Sequence, residues 1–149
     1  MKQKHIDIRI KQCVLLSQAS NCPRLKVGAL LLDPVRNVIL MDGYNGGPRN
    51  GSSLCGKESC KRNDLNIPSG TETDIGCVHA ERNTIYNAAA SGIKTAGGWM
   101  FITAEPCLGC AKAIHHSGII KVIIIGGVYS CNEGINYLKE NNRNRNKRG

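Results

Sequence analysis

The hydrophobic pattern along the chain switches repeatedly between a helical period and a strand period. Residues 4–19 space their apolar side chains at three-to-four intervals, which predicts a helix that ends at the Asn-Cys-Pro turn. Two short apolar runs follow, at 26–33 and 37–45. The turn residues between them predict an antiparallel pair of strands.

The second half of the chain alternates helices with strands. The pattern predicts helices at 80–90, 105–118 and 132–140, and strands at 97–103 and 119–127. The last strand is apolar without interruption, which is typical of a strand buried on both faces. This order of elements predicts an α/β protein with one mixed sheet covered by helices on both faces.

Between the two halves lies a stretch of about thirty residues rich in glycine, serine and charge. A loop of that length needs either a function or a staple. We therefore expect one domain over residues 1–138, with a cysteine-bearing loop insertion at 46–77. Residues 139–149 are rich in arginine and asparagine, and we expect them to form a flexible basic tail.

The charge distribution places most of the basic excess at the two ends. The net charge is +9, of which residues 1–11 contribute +3 and residues 139–149 contribute +4. A nearly neutral body argues against a polynucleotide-binding groove, so no nucleic-acid partner is expected. No apolar run reaches the ~20 residues of a membrane span. The charged N-terminus favours the cytoplasm, or the host cytoplasm if the chain is viral.

Two motifs carry candidate chemistry. The segment "PCLGC" sets Cys107 and Cys110 three residues apart at a helix start, where thiols ionise readily. Alone, this pair fits a metal site, a redox dithiol or coincidence. The segment "CVHAERN" decides among them, because His79 supplies a third ligand. One histidine and two cysteines form a catalytic type of zinc site with an open fourth position.

Glu81 lies two residues beyond His79 and has a separate predicted task. Zinc lowers the pKa of a bound water from 15.7 to about 7, and a neighbouring carboxylate can then carry its proton. We expect His79 to hold the metal and Glu81 to act as general acid and base.

Together the two motifs form the signature H-x-E…P-C-x-x-C of zinc nucleoside and nucleobase deaminases. Further stretches narrow the resemblance to the deoxycytidylate (dCMP) deaminase family: "NCPRLKVGALLLD", "GYNGGP", "VHAERN" and "PCLGCAKAIHHSGIIKVI". The chain departs from that family at Thr84, where alanine is usual. The resemblance implies a three-layer, cytidine deaminase-like fold with about five strands. It also implies hydrolysis of dCMP to dUMP and ammonia, in the supply of deoxynucleotides for dTMP synthesis.

The resemblance extends to substrate contacts, effectors and assembly. It implies that Asn45 faces the deoxyribose and that Tyr129 lies near the substrate. Arg24, Lys26 and Arg49 are the loop cations that we expect as candidates for the 5′-phosphate. The family also implies regulation by dCTP and dTTP, Mg²⁺ accompanying such an effector, and a homo-oligomer such as a hexamer.

A second, structural zinc is expected in the loops around the site. Four cysteines would form a closed tetrahedral site and would staple the long loop. The candidates are Cys22, Cys55, Cys60 and Cys77.

Other functions stay open at this point. One is a deaminase that also accepts dCTP. Another is a deaminase of RNA or single-stranded DNA bases, similar to tRNA adenosine deaminases, which the basic tail alone supports. The third is a non-enzymatic, cysteine-rich metal or redox module.

Overall fold

The computed structural model describes residues 1–48, 55–56, 59–126 and 132–147, and for 55–56, 59 and 143–147 it describes the backbone alone. The helices are α1 (Gln3–Ser17), α2 (Lys61–Asp64), α3 (Ala80–Ala90), α4 (Leu108–His116) and α5 (Glu133–Lys147). The strands are β1 (Gly28–Asp33), β2 (Val38–Tyr44), β3 (Cys55–Gly56), β4 (Ser59–Cys60), β5 (Trp99–Ile102) and β6 (Lys121–Ile124).

The main sheet has four strands in the order β2-β1-β5-β6 within the described residues. Strand β1 pairs antiparallel with both β2 and β5, whereas β5 and β6 are parallel. The parallel pair requires a crossover, which α4 provides. Helix α4 follows β5 directly along the chain, so the sheet helps to position the start of α4.

Alternation along the central strands produces two cores, one on each face of the sheet. Leu30, Leu32 and Phe101 pack with Cys13 of α1. On the opposite face, the core consists of Leu31, Ala88, Met100, Ile102, Ile114 and Ile119, to which α3 and α4 contribute. Adjacent residues of a strand point to opposite faces, so β1 supplies both cores. The predicted three-layer α/β/α fold is confirmed.

Two details of the predicted sheet differ from the structure. About five strands were expected, and the described part of the chain forms four in the main sheet, with β3 and β4 paired separately. Strand β6 was expected to be buried on both faces. It lies at the edge of the described sheet and is only half-buried, although Val122 and Ile123 contact opposite cores.

The long loop is closed at its base by a pair of backbone hydrogen bonds. Gly46 donates its N–H to the carbonyl of Val78 at 3.1 Å, and Val78 donates to Gly46 at 2.9 Å. At the other end of the chain, α5 continues to Lys147, past the boundary predicted at residue 138. No helix among the described residues has the length and apolar character needed to cross a bilayer.

Candidate active site

The three predicted zinc ligands meet where α3 and α4 begin. His79 is the N-cap of α3, and Cys107 is the N-cap of α4, where its sulfur accepts the Cys110 N–H at 3.4 Å. His79 Nδ1 lies 3.6 Å from the sulfur of Cys107 and 3.4 Å from that of Cys110. Among the described residues, these three alone form a cluster of ligand atoms close enough to share an ion.

The spacing of this cluster fits zinc. Bond lengths of about 2.0–2.1 Å to nitrogen and about 2.3 Å to sulfur imply N···S separations of roughly 3.6 Å in a tetrahedron. The two separations from His79 Nδ1 are 3.6 and 3.4 Å. Three protein ligands of this kind leave one position open, as catalytic zinc sites do.

The electrostatics of the cluster favour an ionised thiol before any metal binds. A hydrogen bond from Cys110, assisted by another from His79, lowers the pKa of Cys107 to about 3. The pKa of Cys110 is raised, because its thiol donates to the Cys107 thiolate and is buried. The pKa of His79 is raised chiefly by its hydrogen bond to Cys107. These hydrogen bonds therefore favour the charged form of Cys107, which is the form that ligates a metal.

Glu81 is buried in the first turn of α3, with 3% of its surface exposed. Burial raises the pKa of its carboxyl, because the charged form loses solvation. A carboxyl that keeps a proton more readily is suited to exchange protons near neutral pH. Glu81 thus lines the same cavity as His79, and its role as general acid and base stays a prediction.

A cavity of about 400 Å³ opens beside Glu81 and His79. Its wall consists of the residues around the start of α3, the segment before β1 and the long loop. Its other described lining residues are Cys22, Arg24, Leu25, Val27, Asn45, Cys60, Arg62, Ser69, Cys77, Ala80 and Glu105. A second cavity of about 540 Å³ shares Arg62, Cys77 and His79 with the first and is otherwise lined by residues of the long loop with Arg82, Tyr86 and Cys107.

Of the five residues predicted to contact the substrate, two line the smaller cavity. Asn45 lines the smaller cavity, but its amide already accepts the Val27 N–H and donates to the Leu25 carbonyl, both at 2.8 Å. Arg24 lines the same cavity, whereas Lys26 is exposed and lines neither. Arg49 and Tyr129 lie outside the described residues.

Three of the four cysteines predicted for a second zinc line the smaller cavity. These are Cys22, Cys60 and Cys77. Their sulfur atoms do not meet the spacing of a ligand cluster among the described residues. The side chain of Cys55 lies outside that description, although its backbone pairs with Cys60 in the β3–β4 hairpin.

Sequence patterns gave no signal for several residues that surround the site. Arg62 and Glu105 line the smaller cavity. Glu72 accepts the Gly109 N–H at 3.1 Å within the "PCLGC" turn, and Asp74 pairs with Arg82 at 3.2 Å. A Cβ added at Gly109 would meet the end of the Arg82 side chain, which would have to shift. A dependence of this kind on distant loop residues is invisible to motif spacing.

The fold and site together define a class of protein, namely an α/β protein with a His/Cys/Cys cluster that could hold a metal ion and a buried carboxyl in the adjoining cavity. Comparison with known sequences identifies the family. The pattern of the cytidine and deoxycytidylate deaminase zinc-binding region matches residues 4–126. Because this match covers most of the chain, the protein belongs to that family.

Individual relatives agree with this assignment. The deoxycytidylate deaminase of enterobacteria phage T4 is 33% identical over an alignment of 139 residues. The alignment covers 73% of this chain and 71% of the relative. ComE operon protein 2 of Bacillus subtilis is 34% identical over 108 residues, covering 72% of this chain but only 52% of the relative. The chain thus spans about half the length of the Bacillus protein.

A solved structure resembles the whole chain. It is the dCMP deaminase of cyanophage S-TIM5, in complex with dCMP and dUMP. The two chains are 31% identical, with a TM-score of 0.77, and the similarity covers 94% of this chain and 93% of the cyanophage chain.

Proposed function

We propose that the protein catalyses the zinc-dependent hydrolytic deamination of dCMP to dUMP and ammonia. The observation that carries this proposal is the burial of Glu81 in one cavity with His79, beside Cys107 and Cys110. The names of the T4 and cyanophage relatives support the choice of dCMP as the substrate.

The residues of the site divide the reaction between them. His79, Cys107 and Cys110 would hold the zinc ion. When bound, zinc supplies a water whose pKa is lowered to about 7. Glu81 takes a proton from the attacking water as its oxygen adds to C4 of cytosine, and delivers that proton to N3. Glu81 then transfers the remaining proton of the water to the amino group, which leaves as ammonia. One water and one dCMP thus give one dUMP and one ammonia.

A screen of cytosine nucleotides tests this proposal. The protein, loaded with zinc, is incubated with dCMP, dCTP, CMP, deoxycytidine and a cytosine-containing oligodeoxynucleotide, and ammonia release is measured. We expect the highest kcat/KM with dCMP. Faster turnover of the oligonucleotide than of dCMP would contradict the proposal, and faster turnover of dCTP would correct the substrate.

The finer expectations about regulation and assembly stay predictions. They comprise regulation by dCTP and dTTP with Mg²⁺, a homo-oligomer and a cytoplasmic location. The support for them is the family membership, and mass measurement of the purified protein with and without dCTP tests the first two.

A second zinc also stays a prediction. Its support is that Cys22, Cys60 and Cys77 line one cavity at the base of the long loop, beside the catalytic cluster. The test is the zinc content of protein purified without added metal.

A further inference from the structure

The cavity that contains Glu81 is lined by two arginines from different parts of the chain. Arg24 comes from the segment before β1, and Arg62 comes from α2 in the long loop. Both are half-buried. The carboxyl groups of Glu81 and Glu105 line the same cavity, so cations are needed there before a dianionic nucleotide could bind.

The guanidinium of Arg62 is held in place by the loop that it supports. Its Nε donates to the Ile75 carbonyl at 2.9 Å, and its Nη2 donates to the Thr73 carbonyl at 3.0 Å. Gly76 leaves room for the arginine, because a Cβ there would lie 3.2 Å from Arg62 Cγ and Nε. Gly76 also has a φ of +109°, which favours glycine.

Such anchoring prepares an arginine for a ligand. Immobilising a long side chain on binding costs conformational entropy, and that cost falls when the protein already fixes the side chain. Nε and Nη2 make the hydrogen bonds that Arg62 forms with described residues. Nη1 of Arg62, which lines both cavities, makes no hydrogen bond to a described residue, and a guanidinium donor left in this way suits a phosphate oxygen.

The residues next to Arg62 bring further groups that could bind an anion to the same cavity. The Arg62 carbonyl accepts the Ile67 N–H at 2.8 Å, and the Ile67 carbonyl faces Nη1 of Arg24 at 3.5 Å. The turn that follows contains Ser69, which also lines the cavity. One short segment of the long loop thus contacts Arg24, contains Arg62, and adds Ser69 to the lining of the same cavity.

We infer that Arg62 is a substrate-specificity residue that binds the 5′-phosphate of the nucleotide together with Arg24. The inference rests on the proposed dCMP substrate. It gives the long loop a function beyond closing the site, since α2 and the 73–76 segment would present one cation to the phosphate. The alternative is a purely structural role, in which Arg62 only stabilises the loop through its hydrogen bonds to the Ile75 and Thr73 carbonyls.

The experiment compares a phosphorylated with an unphosphorylated substrate. Arg62→Gln is assayed with dCMP and with deoxycytidine, and its binding of dUMP and of deoxyuridine is measured by calorimetry. We expect kcat/KM for dCMP and the affinity for dUMP to fall about 10- to 100-fold, the range for a lost hydrogen bond to a charged group. Values for deoxycytidine and deoxyuridine should change less than about threefold. Arg62→Lys, which keeps the charge without the fork, should recover part of the loss.

Lys61→Gln is the matched control, because Lys61 precedes Arg62, is exposed and lines neither cavity. It removes the same charge and should leave both substrates unchanged. Equal losses for dCMP and deoxycytidine in Arg62→Gln would show that Arg62 only supports the loop, and an unchanged variant would also overturn the inference. If the wild-type protein does not deaminate dCMP, the proposed function itself fails. The wild-type assay alone shows this, so the two failures can be told apart.

Discussion

Replacing Glu81 by glutamine separates proton transfer from metal binding. The side chain is 3% exposed in the first turn of α3, and glutamine has nearly the same shape, so the fold and the ligand cluster should survive. Glutamine cannot carry protons between water, N3 and the departing amine. General acid–base catalysis contributes about 10²–10⁴-fold. Since Glu81 serves more than one transfer in the proposed mechanism, we expect a loss of about 10⁴-fold or more in kcat, or about 5.4 kcal/mol in the barrier.

The assay follows ammonia release from dCMP by enzyme of measured zinc content. Zinc content and thermal unfolding should match the wild type, while turnover is lost. Glu133→Gln is a suitable control, because Glu133 is an exposed carboxylate of α5 that lines neither cavity. A Glu81→Gln protein that retains more than about a tenth of the wild-type rate would refute the role assigned to this carboxyl.

Three further outcomes test other parts of the site. Cys110→Ala should abolish stoichiometric zinc, measured by atomic emission, because two ligands rarely hold a catalytic ion; full zinc retention would contradict the assignment. If a second zinc is present, Cys60→Ser should lower the zinc content by about one per chain and should make residues 46–77 sensitive to protease. A wild-type zinc content of one per chain, with unchanged proteolysis of the variant, would refute the prediction of a second zinc. Truncation after Glu140 should change dCMP turnover by less than about twofold, because no described residue of α5 lines either cavity, and a larger loss would give the basic tail a role.

Local patterns in the sequence predicted the scaffold and the chemical centre. Helices were expected over 80–90 and 105–118, and the structure has them at Ala80–Ala90 and Leu108–His116. The reason is that helix starts and apolar periodicity depend on neighbours within a few residues. The meeting of His79, Cys107 and Cys110 could be expected as well, since a histidine and a Cys-x-x-Cys pair at helix starts leave few chemical alternatives, and their role as zinc ligands stays a prediction.

Contacts between distant segments could not be predicted. Arg62 carried no signal, because its partners Thr73 and Ile75 accept through backbone carbonyls, which any residue possesses. Asn45 was expected to face the sugar, and its amide binds the backbone of residues 25 and 27, which a short motif cannot reveal. The edge position of β6 depends on which strands pair, and its apolar composition alone suggested a more buried strand.

In the proposed function, catalysis and substrate selection depend on different parts of the chain. His79 and Cys107 cap helices that rest on the sheet, and helix N-termini favour the thiolate that binds zinc. The cavity wall around them comes from loops that hold one another by hydrogen bonds, as Asn45 does with residues 25 and 27. A change in a loop side chain can therefore alter the affinity for a substrate while the ligand cluster stays intact. Substitutions at Arg24 or Arg62 should accordingly change KM and substrate preference at constant zinc content, whereas substitutions at the helix starts should change zinc content and kcat together.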